Sequence, residues 1–275
     1  MAGFSASEKI QLGIWLDDLR VELKAAMAAV GPLQPESVGL DAFGPELSPR
    51  TLSRSGRRDL VHYLRTRGTT LSALRADLGG RRLAEAGTLD VGLGRLREAW
   101  ELANDLGAPH LVVAAGYVPD LAESDEKRAR ETLREAASFL ATLSATGPAR
   151  IAWLGGQEQP QTLFDFLQAV DSSGILGVDL NPGGYLMRGV DPMKALTVLS
   201  PRVTIVRAAD HYRGGAEAPF GIGDVRWGVL LVALATLNRP APIPVLAATN
   251  SDGDRIAAIA GAYKRLKSMR ANPVA

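Results

Sequence analysis

The sequence predicts an α/β fold, a closed parallel eight-stranded (β/α)8 barrel, on three observations. Short apolar runs alternate with longer amphipathic segments eight times, as a parallel sheet covered by helices requires. The length of 275 residues suits one such barrel, which commonly takes about 250. No GxGxxG turn follows the first strand, where a doubly wound open sheet would usually carry one.

The elements follow in order. Strand Ile10–Trp15 leads into a helix at Leu19–Val30, and Ser37–Asp41 into one at Pro49–Thr66. Strand Thr70–Arg75 precedes the helix Leu89–Leu106, which stops at Gly107. Strand His110–Ala115 precedes Ser124–Ala145, with Ser124 as N-cap, Asp125 and Glu126 in the first turn and Gly147 past the end. There Leu133, Ala136, Ala137, Leu140 and Leu143 recur at helical spacing and should face the sheet. Strand Arg150–Leu154 pairs with a helix at Gln161–Val170, and Ile175–Leu180 with one at Pro192–Leu199. Strand Val203–Arg207 precedes Trp227–Leu237, for which Asp224 is the expected N-cap. Strand Ile243–Ala247 and the helix Asp252–Met269 close the chain, with Ile256, Ile259, Tyr263 and Leu266 on one side. The pattern predicts a single barrel domain over 1–275, with 1–9 as an N-terminal extension and 270–275 as a C-terminal tail.

Composition excludes several functions. Thirty-one basic and 30 acidic residues leave a net charge of +1, so electrostatics gives no case for nucleic acid or an anionic membrane as partner. The chain has no cysteine, which excludes thiolate catalysis and disulfides. No apolar stretch approaches the ~20 residues that span a bilayer, and MAGFSASEKI lacks the pattern of a secretory signal. The cytoplasm is the expected location.

Four segments resemble a known family. LANDLGAPHLVVAAG (102–116) is similar to its third helix and fourth strand. LGVDLNPGGYLMRGVDPMKAL (176–196) is similar to its sixth strand, loop and helix. RVTIVRAAD (202–210) is similar to its seventh strand, and FGIGDVRWGVLLVALATL (220–237) to its GxG(D/E)VDW approach to the seventh helix. In this order they resemble the sugar phosphate isomerases/epimerases, the xylose isomerase-like barrels, over about Ile10 to Met269. The resemblance implies a divalent cation at the C-terminal mouth, held by Glu, Asp, His and Glu at the ends of strands five to eight. It implies proton transfer between adjacent sugar carbons.

The pattern fails at all four places. IAWLGG puts Leu154 where the first Glu belongs, VDLNPGG puts Asn181 for the Asp, IVRAAD puts Arg207 for the His, and VLAAT puts Ala247 for the second Glu. Leu and Ala offer no lone pairs and Arg repels a cation. The expected protein is therefore metal-free and needs no cofactor; Glu158 and Asp179 are the nearest carboxylates that would compensate.

Barrel enzymes keep their sites at the C-terminal strand ends. The expected ligand-binding residues there are Arg75, Asn181, Arg207, Asp210 and Asn250, with Asp77, Gln157 and Thr249 nearby. Arg207 either replaces the ion's charge, with Arg75 completing a phosphate or carboxylate clamp, or forms an internal ion pair with Asp179 or Asp41. Asp210 either orients a ligand or caps a turn. Weak acid/base candidates are Asp17, Asp41, Glu158 and His211, the last being also readable as a solvated loop histidine. Gly214–Gly223 is either a loop over the mouth or a phosphate-cradling turn, and Asp77 to Arg82 (DLGGRR) reads as solvated surface.

Three functions follow. The leading one is a metal-free relative, with catalysis retained or lost, that binds a sugar, sugar acid or sugar phosphate or serves as a regulatory or scaffolding pseudoenzyme. The second is an active isomerase or epimerase with relocated carboxylates. The third is a non-catalytic interaction scaffold. Dimers and tetramers occur among relatives, so homo-oligomerisation is open.

Overall fold

A computed structural model describes residues 9–44, 46–78, 83–119 and 124–272. Eight parallel strands close a barrel: β1 (Ile10–Trp15), β2 (Ser37–Asp41), β3 (Thr70–Ala76), β4 (His110–Val113), β5 (Arg150–Leu154), β6 (Gly177–Leu180), β7 (Val203–Ala208) and β10 (Ile243–Ala247). Their order around the ring is β1-β10-β7-β6-β5-β4-β3-β2. Consecutive strands are neighbours and β10 closes on β1, with Ile14 opposite Ala247. Between β7 and β10 lies a small antiparallel hairpin, β8 (Asp210–His211) with β9 (Glu217–Ala218).

The helices are α1 (Leu23–Val30), α2 (Arg54–Arg65), α3 (Leu89–Leu106), α4 (Ser124–Ser144), α5 (Pro160–Val170), α6 (Pro182–Met187), α7 (Pro192–Leu199), α8 (Trp227–Thr236) and α9 (Arg255–Ala271). Local chemistry sets their ends. The Ser53 hydroxyl accepts from Gly56 N, which moves the start of α2 to Arg54 rather than Pro49. Gly107, at φ 69°, ends α3 as a left-handed cap. The side chains of Ser124 and Asp125, Gly79–Arg82 of the DLGGRR segment, the 1–8 extension and 273–275 lie outside the described residues. Helix α9 runs through Ala271, so the expected tail is shorter.

Two cores result. The larger fills the space between the barrel wall and the helices, with side chains such as Ile14, Leu74, Leu140, Leu180 and Tyr263. The smaller is the barrel lumen: Trp15, Ala73, Val112, Ala152, Ile205 and Leu246, with Ala209, Ala248 and Leu154 above. Trp15 fits there only because its neighbours are small. A Cβ on Gly39 would lie 2.3 Å from the Trp15 ring.

The lumen corrects one expectation. Ala247, the expected fourth ligand position, packs outward in the larger core with Ile243 and Val245. Leu246 and Ala248 point inward, so the register is shifted by one residue and every side chain changes face.

Candidate functional site

At the C-terminal end of the barrel, six charged side chains crowd around Trp15. Strand β1 delivers Trp15 and then the Asp17–Leu19 turn with two acidic residues. Strand β2 delivers Asp41, β3 Arg75, β6 Asp179 and β7 Arg207, each on the face that alternation turns inward.

Arg75 is already occupied. Its Nε donates to Asp41 Oδ1 at 2.5 Å, and its Nη2 donates to Asp41 Oδ2 at 2.8 Å and Asp18 Oδ1 at 2.9 Å. Burial alone would lower its pKa, but the Asp18 and Asp41 carboxylates outweigh that and raise it. The expected clamp of Arg75 on a ligand anion is therefore corrected: two internal carboxylates hold its fork. Asp41 is committed by the same pair. Asp18 also accepts Thr249 N at 3.2 Å, tying the end of β1 to the loop after β10.

Asp17 Oδ2 accepts Asp41 N at 2.7 Å. Burial pushes its carboxyl up to about 6, and the Asp41 carboxylate adds to this.

Arg207 is different. Its Nε lies 4.0 Å from Asp179 Oδ2, an ion pair without a hydrogen bond. Asp179 is fully buried, and neither of its oxygens nor Arg207 Nε has a hydrogen-bond partner among the described residues. Burial pushes Asp179 up to about 6, with Arg207 and Arg75 acting in the opposite direction. The Arg207 and Arg75 guanidinium carbons sit 5.6 Å and 5.1 Å from the Trp15 ring centroid, within cation–π range.

The other expected site residues lie around this centre. Leu154 points into the lumen. Asn181 does not offer its carbonyl: Oδ1 accepts Gly184 N at 3.1 Å and caps α6. Asp210, expected to bind ligand, is spent on its own loop, accepting Gly221 N at 2.7 Å, His211 N at 2.9 Å and Val225 N at 3.3 Å. That network joins the β8–β9 hairpin, whose second strand falls in the expected Gly214–Gly223 loop, to the segment that follows it. Asp224 is not the cap of α8; it accepts Arg213 N at 2.8 Å. Asn250 is exposed at the rim, and its N–H donates to Glu217 Oε2 at 2.7 Å.

His211 is buried rather than solvated, and its Nδ1 lies against Gly183 with no partner. Glu158 is buried as well. Its Oε2 receives a long 3.4 Å bond from Val118 N and its Oε1 has none. Burial pushes its carboxyl up to about 7. Tyr185 OH, also buried without a partner, is raised by burial first and by Glu158 second.

Sequence reasoning missed Asp18, Trp15, Tyr185 and Glu217. Asp18 had a signal, since it follows Asp17 directly at a strand end. Glu217, whose side chain bonds Thr249 Oγ1 and Asn250 N, had none.

The donor set at the positions where the resemblance expects ligands does not fit a divalent cation. Leu154 and Ala248 carry no donor atom, the Asn181 carbonyl is engaged, and Arg207 is itself a cation. Among the described residues, no group of three or more His, Cys, Asp or Glu is placed to hold a metal. No described helix is long and apolar enough to cross a membrane.

No protein-family model matches the sequence, and no curated protein is similar to it. Solved structures do match. A xylose isomerase domain protein from Planctomyces limnophilus is 20% identical with a TM-score of 0.78, over 95% of this chain and 98% of that one. A D-tagatose 3-epimerase-like protein is 16% identical at 0.73, over 97% and 100%. The IOLI protein, whose structure carries a zinc atom, is 14% identical at 0.74, over 96% and 98%. The chain shares with them the xylose isomerase-like barrel fold.

Proposed function

We propose that this barrel is a sugar isomerase/epimerase-like protein that takes a carbohydrate or sugar-phosphate-like ligand at its C-terminal mouth without a divalent ion. The observation that carries this reading is Arg207. A guanidinium stands on the inward end of β7 with its Nε unpartnered, beside a carboxylate with both oxygens unpartnered. Donor and acceptor side by side match a hydroxyl, which is both. Such a pair recognises sugar oxygens without a Lewis acid. The reading requires binding, not turnover.

Calorimetric titration with Mn²⁺, Mg²⁺, Co²⁺ and Zn²⁺ is expected to give no saturable heat. Stoichiometric binding of any of them at micromolar concentration overturns the reading. A panel of hexoses, pentoses and their phosphates is expected to give saturable heat that Arg207→Met removes.

A second reading, acid/base chemistry on relocated carboxylates, is favoured by one observation. Burial holds Glu158 at about 7 and Asp17 at about 6, near the working range of a general base. Asp41, held by Arg75, is not available for that role. Deuterium incorporation at a sugar carbon in D₂O, lost in Glu158→Gln or in Asp17→Asn, would select this reading.

A further inference from the structure

The final helix has an unusual first half. Ile256–Tyr263 reads IAAIAGAY, eight residues without a charge, although Ile256, Ala257 and Ala258 are exposed. Apart from Arg255 at its first position, the charges Lys264, Arg265, Lys267 and Arg270 lie in the second half. A solvent-facing helix surface normally carries polar side chains.

That small-residue face forms one wall of a cavity of about 350 Å³. The other walls are Ala218, Pro219 and Phe220 at the β8–β9 hairpin, and Ala248 and Thr249 after β10. The volume falls within the ~300–1,000 Å³ of small-molecule sites, and the mostly apolar lining with a few polar groups is the usual make-up of one.

The polar groups are unequal. The Asp210 carboxylate is turned to its loop amides, and Glu217 to Thr249 and Asn250. Arg265 is exposed at the edge of the cavity, with no ion pair or hydrogen bond of its side chain among the described residues. Its guanidinium lies along Gly221, where a Cβ would come within 3.1 Å of Nη1. Gly221 has φ 77°, so the loop conformation favours glycine on that ground too.

We propose that this cavity, between the last helix and the β8–β9 hairpin, is a second small-molecule site for a compact apolar monocarboxylate. The apolar body lies between Phe220 and the Ala258–Gly261 face. The carboxylate takes the free fork of Arg265 in bidentate fashion. A dianion such as a phosphate monoester is disfavoured, because Asp210 and Glu217 stand in the same walls.

The test uses 1-naphthoate as probe, titrated into the full chain, with uncharged 1-naphthylmethanol beside it. The ligand-efficiency range for a molecule of this size sets the expected Kd at about 1 mM or below. Naphthoate is expected to bind roughly tenfold better than the alcohol, and Arg265→Gln to remove that preference. Gly261→Leu is expected to abolish binding of both probes. A Cβ at Gly261 meets nothing within 4 Å, so the variant folds and fills the cavity. No saturable binding up to about 5 mM, or binding left unchanged by either variant, overturns the proposal.

Discussion

Two buried arginine–aspartate pairs flank strand β7, and they are built in opposite ways. At the N-terminal end, Arg202 donates to Asp171 Oδ2 at 3.0 Å, Gln168 Oε1 at 3.0 Å, Leu176 O at 3.2 Å and also to Asp171 O. Asp171 in turn accepts Leu176 N at 2.7 Å and Ser173 Oγ at 2.8 Å. Burial acts to raise its pKa, but these hydrogen bonds and Arg202 hold it below the usual carboxylate range. At the C-terminal end, five residues along the strand, Arg207 and Asp179 sit 4.0 Å apart with bonding capacity unused. A buried polar group left without a partner costs free energy that a saturated one does not. The lower pair ties loops and helices together; the upper pair leaves donors and acceptors unused. Barrels in general keep stability at the bottom and their sites at the top.

The largest expected effect breaks the lower pair. Arg202→Met leaves Asp171 buried and unpaired, and should cost about 3–5 kcal/mol in denaturant unfolding. A loss below that of the same substitution at Arg207 would reverse the comparison.

Next comes Glu158, another underbonded group on the upper side. Its value in the folded chain, about 7, lies above its ordinary 4.5, so folding favours the protonated form. The associated stability is fully present below 4.5 and is lost as pH rises through 7. Glu158→Gln should therefore stabilise the protein by about 2–3 kcal/mol at pH 8, and hardly at all at pH 4.5. Equal melting shifts at both pH values would rule out a neutral Glu158.

Removing the α6 cap is smaller. Asn181→Ala should cost about 1 kcal/mol, without the change in metal affinity expected if Asn181 were a ligand; calorimetry and thermal unfolding separate the two. The smallest effect sharpens the contrast most. Replacing the upper pair outright, Asp179→Leu with Arg207→Met, should change stability by no more than about 1 kcal/mol while abolishing sugar binding. A loss as large as that of Arg202→Met would make the upper pair structural.

The alternation of apolar strands with amphipathic helices was enough to place all eight barrel strands, because each segment must bury a face whose period its residues display. It also set the inward phase of Leu154 and Arg207, which lie near the ends of β5 and β7 on the lumen side. It could not set the phase of β10. IPVLA is apolar throughout, buried on both faces, and carries no polar residue to mark one side, so only strand pairing decided that Ala248 and not Ala247 faces the mouth. Sequence reasoning offered Asp179 as a partner for Arg207, a pair the structure contains, but it did not pair the remaining charges. Arg75 with Asp18 and Asp41, Asp210 with the amides of its hairpin, and Thr249 with Asp18 are contacts between residues up to 231 positions apart. Side-chain identity is local and legible in a sequence; which partner neutralises a buried charge is settled by closure of the ring, which brings the two ends of the chain together.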